Sequence, residues 1–104
     1  MSRSDSGKLS ATEARRRLTT STISTLPNAF VPYIITVAVG DSVTFAFGGD
    51  IDHNVIWRAS NPSGAPANIE NATNETFVRR LTTRGTFNYE CTVHPGMIGQ
   101  IVVR

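Results

Sequence analysis

Residues 19–104 of this 104-residue chain are predicted to form an all-β fold, a Greek-key β-sandwich of about seven strands in two sheets. Three observations predict it. Apolar side chains recur at every second position, the period that puts residues i, i+2 and i+4 on one face of a strand. The alternating runs are short, and Gly, Pro and Asp turns separate them at regular spacing, as in antiparallel sandwiches. The number of runs suits two packed sheets joined by Greek-key connections.

Element by element, the first strand is expected over about 19–25 and the second over about 33–39, where Val37 and Val39 alternate with Thr36 and Ala38. Gly40-Asp41 turns the chain into a strand over 42–48, with Val43, Phe45 and Phe47 on one parity before Gly48-Gly49-Asp50. His53, Val55 and Trp57 share the next parity, over 52–58. The stretch from Ala59 to Asn74 shows no pattern and is long for a connection, so it reads as a functional loop or a flap beside the site. It holds two Asn-x-Thr sequons, at Asn71 and Asn74, read as chance occurrences. Strands follow over 75–82 (Phe77 and Leu81 against Val78 and Arg80), 85–91 (Phe87, Tyr89, Cys91) and 98–104 (Ile101, Val103). Residues 1–18 differ: Ser, Arg, Asp and Lys dominate, and Ser10-Ala11-Thr12-Glu13 matches a capping box. An isolated helix of that length is marginal in water, so a flexible or partly helical N-terminal segment is expected there.

Composition narrows the function classes. The net charge of +2 hides two unequal parts. Residues 1–18 hold five Lys/Arg against two acidic residues, whereas 19–104 hold five against six. A body so near neutrality is not a nucleic-acid binder. No apolar run is long enough for a membrane-spanning helix, and no signal-peptide pattern is visible. A single cysteine excludes an internal disulfide.

The chemistry concentrates in Cys91-Thr92-Val93-His94-Pro95-Gly96-Met97, which puts a thiol, an imidazole and a thioether within one tight turn. With His53 upstream, this uses the only Cys, both His and the only Met besides the initiator. Two His, one Cys and a weak axial Met are the donor set of a blue-copper electron-transfer site. Parity agrees. Cys91 shares its face with Phe87 and Tyr89, and His53 with Val55 and Trp57, so both point to the core at strand ends. Enzyme readings fit less well. A second copper centre needs more His, and a Cys–His hydrolase needs an orienting third group and a cleft. Structural zinc takes four strong ligands, and Met is not one. A copper carrier or storage module and an accessory copper domain of a larger redox system remain open as alternatives.

These residues resemble the cupredoxins, in their plastocyanin/azurin-like branch. The likeness covers about 19–104 and includes Asn-Ala-Phe-Val-Pro, Ile-Thr-Val-x-Val-Gly-Asp-x-Val-x-Phe, Gly-Ala-Pro-Ala and Gly-Thr-Phe-x-Tyr-x-Cys. The two residues between His94 and Met97 resemble the short, amicyanin-type ligand loop. Such loops carry Pro where Val93 stands and a bulky aromatic where Gly96 stands. The resemblance implies one copper ion cycling between Cu(I) and Cu(II), with His53, Cys91, His94 and Met97 as ligands and Asn54 supporting Cys91 through its backbone amide. It implies a monomeric one-electron carrier, not an enzyme, in a periplasmic or other extracytoplasmic location. Redox partners are expected to dock near His94 on a small apolar patch built from Pro95, Gly96, Ile98, Ala65 and Pro66.

Overall fold

The structure, a computed structural model, describes residues 21–104, so the expectations for 1–18 lie outside it. Among the described residues nine strands form: β1 (Ser21–Leu26), β2 (Ala29–Val31), β3 (Ile34–Val37), β4 (Ser42–Phe47), β5 (His53–Trp57), β6 (Ile69–Ala72), β7 (Glu75–Arg80), β8 (Gly85–Glu90) and β9 (Ile98–Val103). One sheet has the order β2-β1-β4-β7 and the other β3-β9-β8-β5-β6. The all-β sandwich is as expected.

Two features differ from the expectation of an antiparallel fold with about seven strands. The sheets are mixed, because β1 runs parallel to β4 and β3 parallel to β9. The two additional strands are short. β2 has three residues, and β6 buries only Ile69 fully, so neither carries a readable alternation. Part of the supposed patternless stretch is therefore paired backbone, with Ile69 opposite Val55 and Ala72 opposite His53. At the other extreme, β4 alternates fully, with Val43, Phe45 and Phe47 buried between half-buried Ser42, Thr44 and Ala46.

The two inner faces meet in one core of aromatic and branched side chains. Phe45 packs edge-on against Tyr89 at 5.4 Å and Trp57 at 6.3 Å between ring centroids, and Phe30 meets Tyr89 at 4.8 Å. Burial of each such side chain contributes about 1.5–3 kcal/mol. Gly99, opposite Tyr89 in the β8–β9 pair, lies in a strand and not in a turn. A Cβ there would collide with the Tyr89 ring, so Gly99 makes room for the largest of the fully buried side chains.

Strand directions give the sandwich two unlike ends. Phe47 (end of β4), Glu75 (start of β7), His53 (start of β5), Cys91 (just after β8) and Ile98 (start of β9) lie at one end. Ser42, Arg80, Gly85 and Val103 lie at the other.

Candidate metal centre

β5 and the β8–β9 connection build the site. Cys91 follows β8 on the parity of Phe87 and Tyr89, and all three are buried. His53 opens β5 with Val55 and Trp57 on its face, all buried as expected. The connection between the two strands is tight. The Cys91 amide donates to the Met97 carbonyl at 2.9 Å, and the Met97 amide to the His94 carbonyl at 3.2 Å. These bonds turn the loop on itself, leaving Met97 buried, His94 half-buried and Val93 and Ile98 exposed. Gly96 supplies the reversal with φ of 83°, in the left-handed region that disfavours side chains. A Cβ on Gly96 would meet nothing within 4 Å, so backbone conformation, not space, asks for glycine there.

One donor atom each from His53, Cys91 and His94 lies within 4.8 Å of the others. Cys91 Sγ is 3.5 Å from His94 Nδ1, and the two imidazole centroids are 5.0 Å apart. His53 is almost wholly buried, packs edge-on against Phe47 at 5.8 Å, and its Nδ1 has no hydrogen-bond partner. An unpartnered polar atom in a packed interior is costly, so this nitrogen calls for a partner of another kind. Burial lowers the pKa of His53; the neighbouring His94 lowers it further, and the Asp52 carboxylate partly opposes both. His53 is thus held neutral, the form in which an imidazole nitrogen binds a metal. An imidazole lone pair without a partner, a second imidazole and a buried thiol fit copper by donor chemistry. Met97 joins them as a buried thioether in the same turn.

Asn54, also buried, ties the loop to β5. Its Oδ1 accepts from the Thr92 amide at 2.8 Å, and its Nδ2 donates to Thr92 Oγ1 and Asn71 Oδ1, both at 2.8 Å. These side-chain bonds come in addition to the backbone role that the resemblance implies for Asn54. Sequence reasoning missed Thr92 and Asn71, as well as Phe47 beside His53, although the parity of β4 could have found Phe47.

One expectation is corrected. Ala65 and Pro66 were placed beside His94, but their loop lies at the opposite end. β5 runs away from the site, Asn61 bonds Asn88, and Cβ atoms built on Gly85 and Gly64 would meet Pro62 and Thr83. The first part of the stretch after Trp57, up to Ala67, is a distal connection, whereas its last part, in β6, returns to the site at Asn71 and Ala72.

A family model described as copper binding proteins of the plastocyanin/azurin family matches residues 19–104. The chain belongs to that family. This cupredoxin is 34% identical over 86 residues to plastocyanin of Vicia faba, covering 72% of this chain and 87% of the relative. It is 36% identical over 75 residues to plastocyanin of Ulva prolifera, covering 65% and 76%. Among solved structures it is similar to a reduced Cu(I) amicyanin variant at TM-score 0.73 and 27% identity, covering 82% of each chain. An oxidized amicyanin variant matches at TM-score 0.73 and 26% identity. Copper is therefore the cofactor of this cupredoxin.

Proposed function

We propose that His53, Cys91, His94 and Met97 hold one copper ion and that the protein is a type 1 blue copper carrier of single electrons. The observation that carries this reading is the convergence of the chain's two imidazoles and only thiol within 4.8 Å, with a buried, unpartnered His53 Nδ1. Bound there, copper alternates between Cu(I) and Cu(II), so the site takes one electron from a donor and gives one to an acceptor. The protein's contribution is to hold the donors still. The sandwich fixes His53 and Cys91 at strand ends, and the Asn54–Thr92 bonds and the Cys91–Met97 bond fix the loop. Rings and branched side chains exclude water from His53 and Cys91. Half-buried His94 is the edge where partners dock, beside exposed Val93, Pro95, Gly96 and Ile98. A small apolar surface suits weak, fast encounters.

Both imidazoles are used in this one cluster, which supports a carrier and not an enzyme with a second copper centre. Residues 19–104 are the copper-binding domain, joined to a separate segment at 1–18, and the protein works as a monomer in the periplasm or another extracytoplasmic space. The family match over 19–104 supports the domain boundary. Among the described residues no helix is long and apolar enough to cross a membrane.

Potentiometric titration of the copper-loaded protein tests the reading. A reversible transition with a slope of about 59 mV per decade, the one-electron value, is expected. An irreversible transition, or metal released on each reduction, would replace the electron carrier with a copper-delivery protein.

A further inference from the structure

Strand β6, at the edge of its sheet, is thinly paired, yet asparagine side chains fasten it at both ends. Its ladder with β5 joins His53 to Ala72 and Val55 to Ile69, and the register shifts between them. At the distal end Asn68, just before β6, accepts the Trp57 amide on its Oδ1 at 2.9 Å. At the metal end Asn71 Oδ1 accepts from Asn54 Nδ2 at 2.8 Å. Asn54 sits at the register shift, and such irregularities re-aim side chains. His53, Asn54 and Val55 are buried in succession, which strict alternation would not give.

The Asn54 side chain offers two N–H donors and a carbonyl acceptor, and all are used. The Thr92 amide can only donate, so it takes Asn54 Oδ1 and turns Nδ2 toward Thr92 Oγ1 and Asn71 Oδ1. Asn71 completes the set, because its oxygen is the acceptor for the second N–H of Asn54. These bonds join the chain neighbours of two candidate ligands, since Asn54 follows His53 and Thr92 follows Cys91.

We propose that Asn71 is a positioning residue of the metal centre. By accepting from Asn54, it keeps closed the clamp between the His53 strand and the Cys91 loop. Its effect on copper rests on the blue-copper reading, whereas the clamp belongs to the chain without metal. Without the Asn71 oxygen a buried N–H of Asn54 loses its partner, and the bonds from Asn54 to Thr92 break more readily. With the thiolate bound, a Cu(II) site carries one more positive charge than a Cu(I) site, so a closed apolar pocket favours Cu(I). A looser loop admits water, favours Cu(II) and lowers the reduction potential.

Hydrogen exchange in the apo form of the full chain, read by NMR, tests the clamp. In Asn71→Ala the Thr92 amide is expected to exchange about tenfold faster. The Asn88 amide, bonded to Asn61 Oδ1 at the distal end, keeps its rate. Asn71→Asp retains an acceptor and is expected to restore slow exchange at Thr92. Asn68→Ala is expected to speed exchange at Trp57 and to leave Thr92 as in the native chain. An unchanged Thr92 rate in Asn71→Ala, or equal acceleration of Thr92 and Asn88, would overturn the proposal. Copper-loaded samples give the second readout. At the native midpoint potential, the ratio of Cu(II) to Cu(I) in Asn71→Ala is expected to rise about threefold to tenfold, with a shifted blue band. Asn68→Ala keeps the native ratio and band. A blue Asn71→Ala with the native ratio and band would overturn the positioning role. A native chain that does not turn blue would overturn the copper reading, and the exchange rates would then decide the clamp alone.

Discussion

The two ends of the sandwich stand on one core but treat their polar groups oppositely. At the distal end polar groups find partners. Asn61 exchanges two hydrogen bonds with Asn88, the Trp57 indole N–H donates to the Ala67 carbonyl at 3.1 Å, and Arg79 donates to the carbonyls of Ala67, Val78 and Asn68. At the metal end the chain buries an imidazole nitrogen with no partner and sets a second imidazole 3.5 Å from a thiol. One end is finished by the chain alone, and the other is complete only with an ion. The Tyr89 hydroxyl in the shared core also lacks a partner, so what marks the functional end is an unpartnered nitrogen set beside a second imidazole and a thiol.

Because both ends share Phe45, Tyr89 and Trp57, damage to that core should erase the contrast altogether. Phe45→Ala is expected to cost about 3–5 kcal/mol, read as a lower denaturation midpoint with a single transition. Separate transitions for the two ends would mean that they do not share a core.

A matched pair of substitutions sharpens the comparison. Asn54→Ala removes the acceptor of the Thr92 amide, and Asn61→Ala that of the Asn88 amide. Each is expected to cost about 1–3 kcal/mol. Only Asn54→Ala should also move the reduction potential and the visible spectrum of the copper form. Equal spectral effects would remove the distinction between a loop that positions ligands and one that only closes the fold.

Gly96→Ala has a smaller effect, about 1–2 kcal/mol, because it forces a side chain into the left-handed region. Thermal melts of the apo-protein measure it, and no loss would mean that the loop turns differently.

The smallest effect is a pH dependence confined to the apo form. The His53 pKa is lower folded than unfolded, so the unfolded chain binds more protons near and below the ordinary value of 6.5. The resulting stability is fully present above that value and declines as pH falls through it. Denaturation midpoints between pH 8 and pH 5 should show the decline, with a weaker one in His53→Gln. An undiminished slope in that variant would place the titration elsewhere.

How much of this was legible follows from what a linear pattern records. Alternation in Phe87, Tyr89 and Cys91, and in His53, Val55 and Trp57, is local, so the inward direction of both candidate ligands could be read directly. Which strands pair is not local. The parallel partners of β1 and β3 lie far along the chain and leave no mark on the period. Likewise β6 buries one residue on one face, too little to show alternation. The distal position of Ala65 and Pro66 depends on the direction in which β5 leaves the site, which spacing does not encode. Asn54 was visible as an unusual strand residue, but its contacts with Thr92 and Asn71 exist only once β6 and the loop meet β5.

The most direct test of the central claim is to add Cu(II) to the apo-protein and to Cys91→Ser and record visible and paramagnetic-resonance spectra. One equivalent should give the native chain an intense blue band and narrow copper hyperfine splitting, both absent from the variant. A colourless or weakly coloured native complex, or the same spectrum from Cys91→Ser, would contradict a copper–thiolate site at the paired imidazoles.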